Sequence, residues 1–449
     1  MPSPTAVIDE SRSWSGEGPA VVPGPARAEA GGMAKIRNAG GWPAVAAVAA
    51  STFSVVTTEM LPVGLLSPIG AGLGVSDGTA GLTMTLPGLV AAAAAPVLTV
   101  CAGRLDRRVL LLTLMGLLTA ADLLSAAAPG IEVLLGLRVL VGVCIGGVWA
   151  IAAGLGPRLV PSRAAGRATS VIFSGIAVAS VLGVPAGTLV GGRAGWRAAF
   201  LVMGAVALLA TAALAVVLPP LPPRGAAPSH VLPALLRARR VRAALLVVLL
   251  LVCGHFAGYT FVRPALERIP GTGAGTVGGL MLAYGVAGVA GNFLAGTAAV
   301  RHPRRVLAVV AVTLGAVIPA VSLTAGGTAG AAALLVVWGL AYGGVSVGTQ
   351  TWLSAVAPEA GETVSALFVA VFNVAIALGA LLGGRAVDAV SVPAALWLGG
   401  LLAAAAVVPL GAAGGAGKGR WGRSGGAGKG RWGRSGEVEE EAEARASAC

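Results

Sequence analysis

Residues 78–110 read GTAGLTMTLPGLVAAAAAPVLTVCAGRLDRRVL. The first twenty-four carry no charged side chain, and the next seven bring in Arg104, Asp106, Arg107 and Arg108. A helix needs roughly 20 apolar residues to cross a hydrocarbon core about 30 Å thick, so 78–101 reads as a membrane span with a basic connection behind it. Runs of this kind recur at about 42–66, 109–127, 131–156, 168–192 and 197–219, and again at 242–264, 274–299, 306–325, 329–355, 360–386 and 392–413. The whole chain has 449 residues, 56% hydrophobic and only 11% charged. Soluble chains carry about 25% charged residues, so a water-soluble globule is excluded. The sequence predicts an all-α membrane protein of twelve transmembrane helices in two six-helix bundles.

The division into halves rests on two features. Residues 220–241 form the one long polar break in the middle of the chain, rich in proline at Pro220, Pro222 and Pro223 and ending near Arg239 and Arg240. Second, Ala102-Gly103, then Arg107-Arg108-Val109-Leu110 after span 2, is echoed by Ala295-Gly296, then Arg304-Arg305-Val306-Leu307 after span 8. That is where a duplicated six-helix unit puts an equivalent loop. The expected organisation is a disordered leader over 1–41, bundles over 42–219 and 242–413, a linker over 220–241, and a disordered tail over 414–449. The tail contains GGAGKGRWGRS twice in succession.

The net charge of +13 invites a nucleic-acid reading. Most of the arginines instead lie outside the spans and gather in alternate connections (Arg104 to Arg108, Arg158 to Arg167, Arg224 to Arg242, Arg301 to Arg305) and in the tail. This is the positive-inside pattern, which places both termini in the cytoplasm of a cell whose inner membrane holds the protein, without a nucleic-acid partner.

Charged side chains inside spans cost about 2.5–3.5 kcal/mol at mid-helix on insertion scales, so each needs a reason. Glu59, in Thr57-Thr58-Glu59-Met60-Leu61-Pro62, is the clearest candidate for a group that binds and releases a proton as either side becomes wet; the alternative is a carboxylate near the outer mouth, solvated or paired. Asp122 sits close to the outer end of span 3, where water is near. Arg138, one to two turns into span 4, is a candidate charge partner for a carboxylate. In span 5, Gly175, Gly183, Gly187 and Gly191 share a face beside Pro185. Small residues at that spacing admit a close neighbour, either a moving interface between halves or static packing.

His255 and Tyr259 lie four apart in span 7, as do Trp338 and Tyr342 in span 10 and Phe368 and Phe372 in span 11, so each pair shares a helix face. With Asn373, Asn292 and Gln350 they are candidates for the wall of an apolar cavity with a few polar handles; ordinary bundle core is the competing reading. No phosphate-binding loop, HExxH or CxxC occurs, and three histidines leave little for a metal centre. Neither an enzyme, a cofactor nor a metal site is expected.

Several of these segments resemble signatures of the major facilitator superfamily, in its twelve-helix proton-coupled drug-efflux branch. Gly103-Arg104-Leu105-Asp106-Arg107-Arg108 resembles the loop between helices 2 and 3, which in the family latches the inward side of the bundle. Leu135 through Gly147 is similar to the helix 4 signature, with Arg138 at the arginine linked to proton transfer and Val141 where glutamine is usual. The glycine run around Gly183, Pro185 and Gly187 resembles the antiporter signature, which is associated with exporters. Gly195-Trp196-Arg197, Gly254-His255-Phe256-Ala257-Gly258-Tyr259-Thr260 and Gln350-Thr351-Trp352-Leu353 resemble a bacterial subgroup of sugar, nucleoside and chloramphenicol exporters.

The resemblance implies a transporter expelling a small organic compound, drug- or antibiotic-like, in exchange for protons; a working monomer is expected. Glu59, Arg138 and Asp122 would serve coupling, and His255, Tyr259, Trp338, Tyr342 and Asn373 would line the cavity. A metabolite exporter and a non-transporting membrane sensor or scaffold are the alternatives.

Overall fold

The computed structural model describes residues 25–101, 105–222, 232–270, 272–324, 327–357 and 361–415. Twelve helices in it are long and apolar enough to cross a membrane, and no strand occurs among the described residues. The first six are α1 (Gly41–Leu73), α2 (Asp77–Leu98), α3 (Arg107–Ala126), α4 (Ile131–Ala152), α5 (Ser162–Ala194) and α6 (Trp196–Val217). The second six are α7 (Arg239–Tyr259), α8 (Gly275–Ala299), α9 (Pro303–Leu323), α10 (Thr328–Val356), α11 (Thr363–Ala389) and α12 (Val392–Ala412).

Several ends differ from expectation: α1 runs on to Leu73 rather than 66, α5 begins at Ser162 rather than 168, and two others have a plain cause. The helix containing α1 begins at Pro25, inside the segment expected to lack structure. Alanine, arginine and glutamate there are good helix formers, and extending an already nucleated helix fixes only one residue at a time. Span 7 stops at Tyr259, not at 264, and a short helix, Val262–Glu267, follows after a turn. Pro264 has no N–H with which to continue the ladder through Thr260, which breaks the helix there. Residues 1–24, Gly103, residues 223–231 of the linker and the tail from 416 onward lie outside the described residues.

The same three helix pairings occur in both halves. In the first, α1 packs on α5, α2 on α4 and α3 on α6; in the second, α7 packs on α11, α8 on α10 and α9 on α12. Glycine makes the closest of them possible. A methyl at Gly142 or Gly146 of α4 would run into the backbone of α2, and one at Gly339 or Gly343 of α10 into that of α8. Small residues at such crossings let backbones approach, which drives association where lipid is as apolar as the helix.

The arginine after span 2 has its counterpart too. Arg108 donates from Nη2 to the Ala215 carbonyl of α6 at 2.6 Å, and Arg304 donates from Nη2 to the Leu410 carbonyl of α12.

Asp106 caps α3, accepting from the Arg108 backbone N–H at 2.7 Å and, through both oxygens, from that of Leu221 at 3.0 Å. The loop expected to latch the inward side of the bundle is thus joined to the chain just beyond α6 in its own half. Arg107 adds a backbone bond to the Leu221 carbonyl at 2.9 Å.

The halves meet chiefly on the side opposite the linker. There Asp388 of α11 accepts from the Ser76 hydroxyl and from the Gly78 backbone N–H at the start of α2, both at 3.1 Å. Arg263, in the short helix after α7, donates to the Gly64 carbonyl of α1 and pairs with Glu267 at 2.7 Å. The buried Phe261 ring fits against Gly81 of α2 and Gly383 of α11. Towards the linker the contact fades: Val97 of α2 is exposed, and the stretch Ala165–Val178 of α5 makes no substantial contact with the second half among the described residues. The molecule is closed opposite the linker and parted on the linker side.

Candidate functional site

Three groups of side chains meet near the middle of the bundle. The first belongs to the first half. Arg138 is fully buried, donates from Nη1 to the Thr58 carbonyl at 3.0 Å and lies 4.8 Å over the Phe200 ring. Thr58 in turn donates its hydroxyl to Asp122 at 2.6 Å. Asp122 and Arg138 are close enough to interact electrostatically, yet the Arg263–Glu267 contact is the only ion pair within 4.0 Å among the described residues. Thr58 bridges the two charges with its backbone and its hydroxyl.

Asp122 corrects the expectation of a carboxylate near water: it is fully buried. Its position one turn from the end of α3 suggested solvent, but α6 and α4 pack along α3 and Thr58 of α1 bonds to the carboxylate.

The second group belongs to the second half and is aromatic. Trp338 donates from Nε1 to His255 Nδ1 at 3.0 Å. The imidazole stacks on Tyr342 with centroids 3.4 Å apart and on Tyr259 at 4.8 Å, and Tyr259 stacks on Tyr284 at 4.8 Å. Trp338 stands edge-on to His255, Tyr259 and Tyr284 at 5.7, 6.1 and 6.1 Å. Edge-to-face and offset-stacked rings at these separations are mutually attractive. The box gathers all three tyrosines of the chain. Tyr342 is its only ring that is not buried.

Glu59 lies between the two groups. It is 5% exposed, and among the described residues it has no hydrogen-bond or ion-pair partner; it is near enough to Tyr342 across the interface to interact electrostatically. It is therefore buried without a protein partner among the described residues.

The remaining candidates do not join this centre. Asn373 is buried and donates to the Val369 carbonyl one turn back in its own helix at 2.9 Å, while Asn292 and Gln350 are exposed. Gly183 and Gly187 face α1, where an added methyl would strike Thr57 and Leu61. Between the halves, α5 instead presents the Ser180 carbonyl to Gly285 and Pro185 and Leu189 to Gly278 of α8. A wide π-turn, Ala179–Gly183, precedes Pro185, whose missing N–H leaves a carbonyl of that turn unclaimed.

Sequence reasoning missed Tyr284, Arg263 and Asp388. Tyr284 has no aromatic partner four residues away in α8, so the helical spacing that marked the other pairs was absent.

Comparison with known proteins agrees with this architecture. Residues 48–379 match the model of the Major Facilitator Superfamily. The Pseudomonas aeruginosa protein named transcription regulatory protein OpdE is 34% identical over 355 residues, 78% of this chain and 88% of that one. The purine ribonucleoside efflux pump NepI of Salmonella typhimurium is 32% identical over 370 residues, 82% and 93% of the two chains.

Among solved structures, a point mutant of the nucleoside transporter NupG superposes with a TM-score of 0.68 at 14% identity, covering 83% of this chain and 98% of that one. A bacterial homolog of the human lysosomal transporter Spinster, inward-facing and occupied, gives 0.63 at 17% identity, covering 82% and 94%. With twelve apolar helices in two matching halves and a family match over most of its length, the chain belongs to the major facilitator superfamily.

Proposed function

We propose that this protein is a proton-driven exporter of a small organic solute, and that the solute is a purine ribonucleoside or a similar planar heterocycle rather than an antibiotic. The observation that carries the reading is Glu59: a buried carboxylate without a partner, held beside an aromatic box that belongs to the other half. An intramembrane ionisable group marks an ion or substrate path, and a carboxylate so placed exchanges protons with whichever side wets it. Stacked tyrosines and a histidine suit a flat ring. The names of the Salmonella relatives point to the same solute class.

In this reading the two halves rock about the central site, exposing it alternately to each side. The arginine-rich linker side is cytoplasmic, both termini are inside, and the parted state is the one that loads solute from the cytoplasm of a bacterium across its inner membrane. One chain supplies both halves, so the monomer is the working unit. Residues 42–219 and 242–413 act as the moving bodies. Arg138, Thr58 and Asp122 hold α1, α3 and α4 in register around Glu59 and support coupling.

Inside-out vesicles carrying the protein test this directly. Labelled adenosine should accumulate with a proton gradient imposed and stop accumulating when a protonophore is added. Accumulation of chloramphenicol but not adenosine would replace the solute assignment. Absence of flux for any solute would favour a regulatory role, which the name of the Pseudomonas relative suggests. Deleting 414–449 should leave flux intact, whereas a scaffold acting through its tail would lose activity.

A further inference from the structure

Trp338 is fully buried and edge-on to three rings, so its indole cannot swing away without unpacking them. Indole nitrogen is a donor only, whereas a neutral imidazole has one donor and one acceptor nitrogen. Because Trp338 Nε1 donates to His255 Nδ1, the imidazole proton must sit on Nε2. The ring plane is fixed as well, stacked on both Tyr342 and Tyr259. Among the described residues no protein group accepts from Nε2.

We infer that Trp338 is a positioning residue which holds His255 in its Nε2–H tautomer, so that the site selects planar heteroaromatic solutes bearing an unprotonated ring nitrogen or carbonyl as acceptor. The solute stacks beside Tyr342, the one ring of the box that is not buried, and accepts from His255. His255 is then a fixed donor, and the proton-carrying role stays with Glu59. The inference rests on the box being the solute site, but the tautomer is observable without transport.

The test uses the full-length protein in lipid, labelled with ¹⁵N-histidine, and magic-angle-spinning NMR. The chain has three histidines, and the difference from His255→Gln assigns the one in question. The expected spectrum shows His255 with an unprotonated Nδ1 and a protonated Nε2, and Trp338→Phe, which keeps an aromatic edge but loses the N–H, replaces that single form by a mixture. In vesicles Trp338→Phe should raise KM for adenosine roughly five- to tenfold, the loss of about one hydrogen bond, without lowering the maximum rate. A wild-type Nδ1 that carries the proton, or a Trp338→Phe spectrum identical to wild type, overturns the inference. A correct tautomer in a protein that moves no nucleoside would instead overturn the functional reading and leave the positioning role standing. If Trp338→Phe does not fold, the wild-type spectrum alone decides.

Discussion

The closed side of the molecule should open when Asp388 is changed. Its carboxylate crosses between halves to accept from the Ser76 hydroxyl and the Gly78 N–H, both at 3.1 Å. Hydrogen bonds to charged groups are worth about 1.5–3 kcal/mol each when well made. Asp388 is exposed, so solvent screening brings the pair down to about 1–2 kcal/mol together. Asp388→Ala removes this from the closed side only, which shifts the ratio of open to closed by about 5- to 30-fold. Spin labels at Ala127 and Val390, exposed positions on that side in different halves, report the ratio as a distance distribution, in a background with Cys101 and Cys449 replaced by serine. Wild type should show mainly the short distance, and Asp388→Ala should add a longer one. Gly78→Ala, whose methyl would strike the Asp388 carboxylate, should act in the same direction. Unchanged distributions in both variants would refute the latch.

Two further outcomes follow from the packing. Gly187→Val puts a side chain into Leu61 of α1 and should cost about 1–3 kcal/mol, seen as a lower melting temperature in detergent; Gly116→Ala, whose methyl meets nothing within 4 Å, should be neutral or slightly stabilising, and equal effects would contradict the packing. Arg138→Met deletes the bond to the Thr58 carbonyl and leaves Asp122 buried without its cation, a loss of about 2–3 kcal/mol; adding Asp122→Asn should restore part of the melting temperature, and no restoration would deny the coupling between them.

The spans were legible because a bilayer requires long apolar runs, and the halves because the loop after span 2 is echoed after span 8. What a helix face meets was not legible: the spacing of Gly175, Gly183, Gly187 and Gly191 suits a partner in either half, and only the fold assigns that face to α1. Proximity in sequence to the end of a span likewise says nothing about cover, which is why Asp122 proved buried. The pairs His255–Tyr259 and Trp338–Tyr342 were visible at helical spacing, but their convergence with Tyr284 depends on the crossing of α7, α8 and α10. Asp388 falls just past the expected end of span 11, and only the fold brings Ser76 and Gly78 to its carboxylate.

The central claim is that Glu59 carries the coupling proton, and gradient-driven flux compared with exchange in proteoliposomes tests it most directly. Glu59→Gln should abolish adenosine accumulation driven by an imposed pH gradient while preserving exchange of internal for external adenosine, because the rocking of the halves and the aromatic box remain. Glu59→Gln accumulating adenosine against the gradient as well as wild type does would contradict the account.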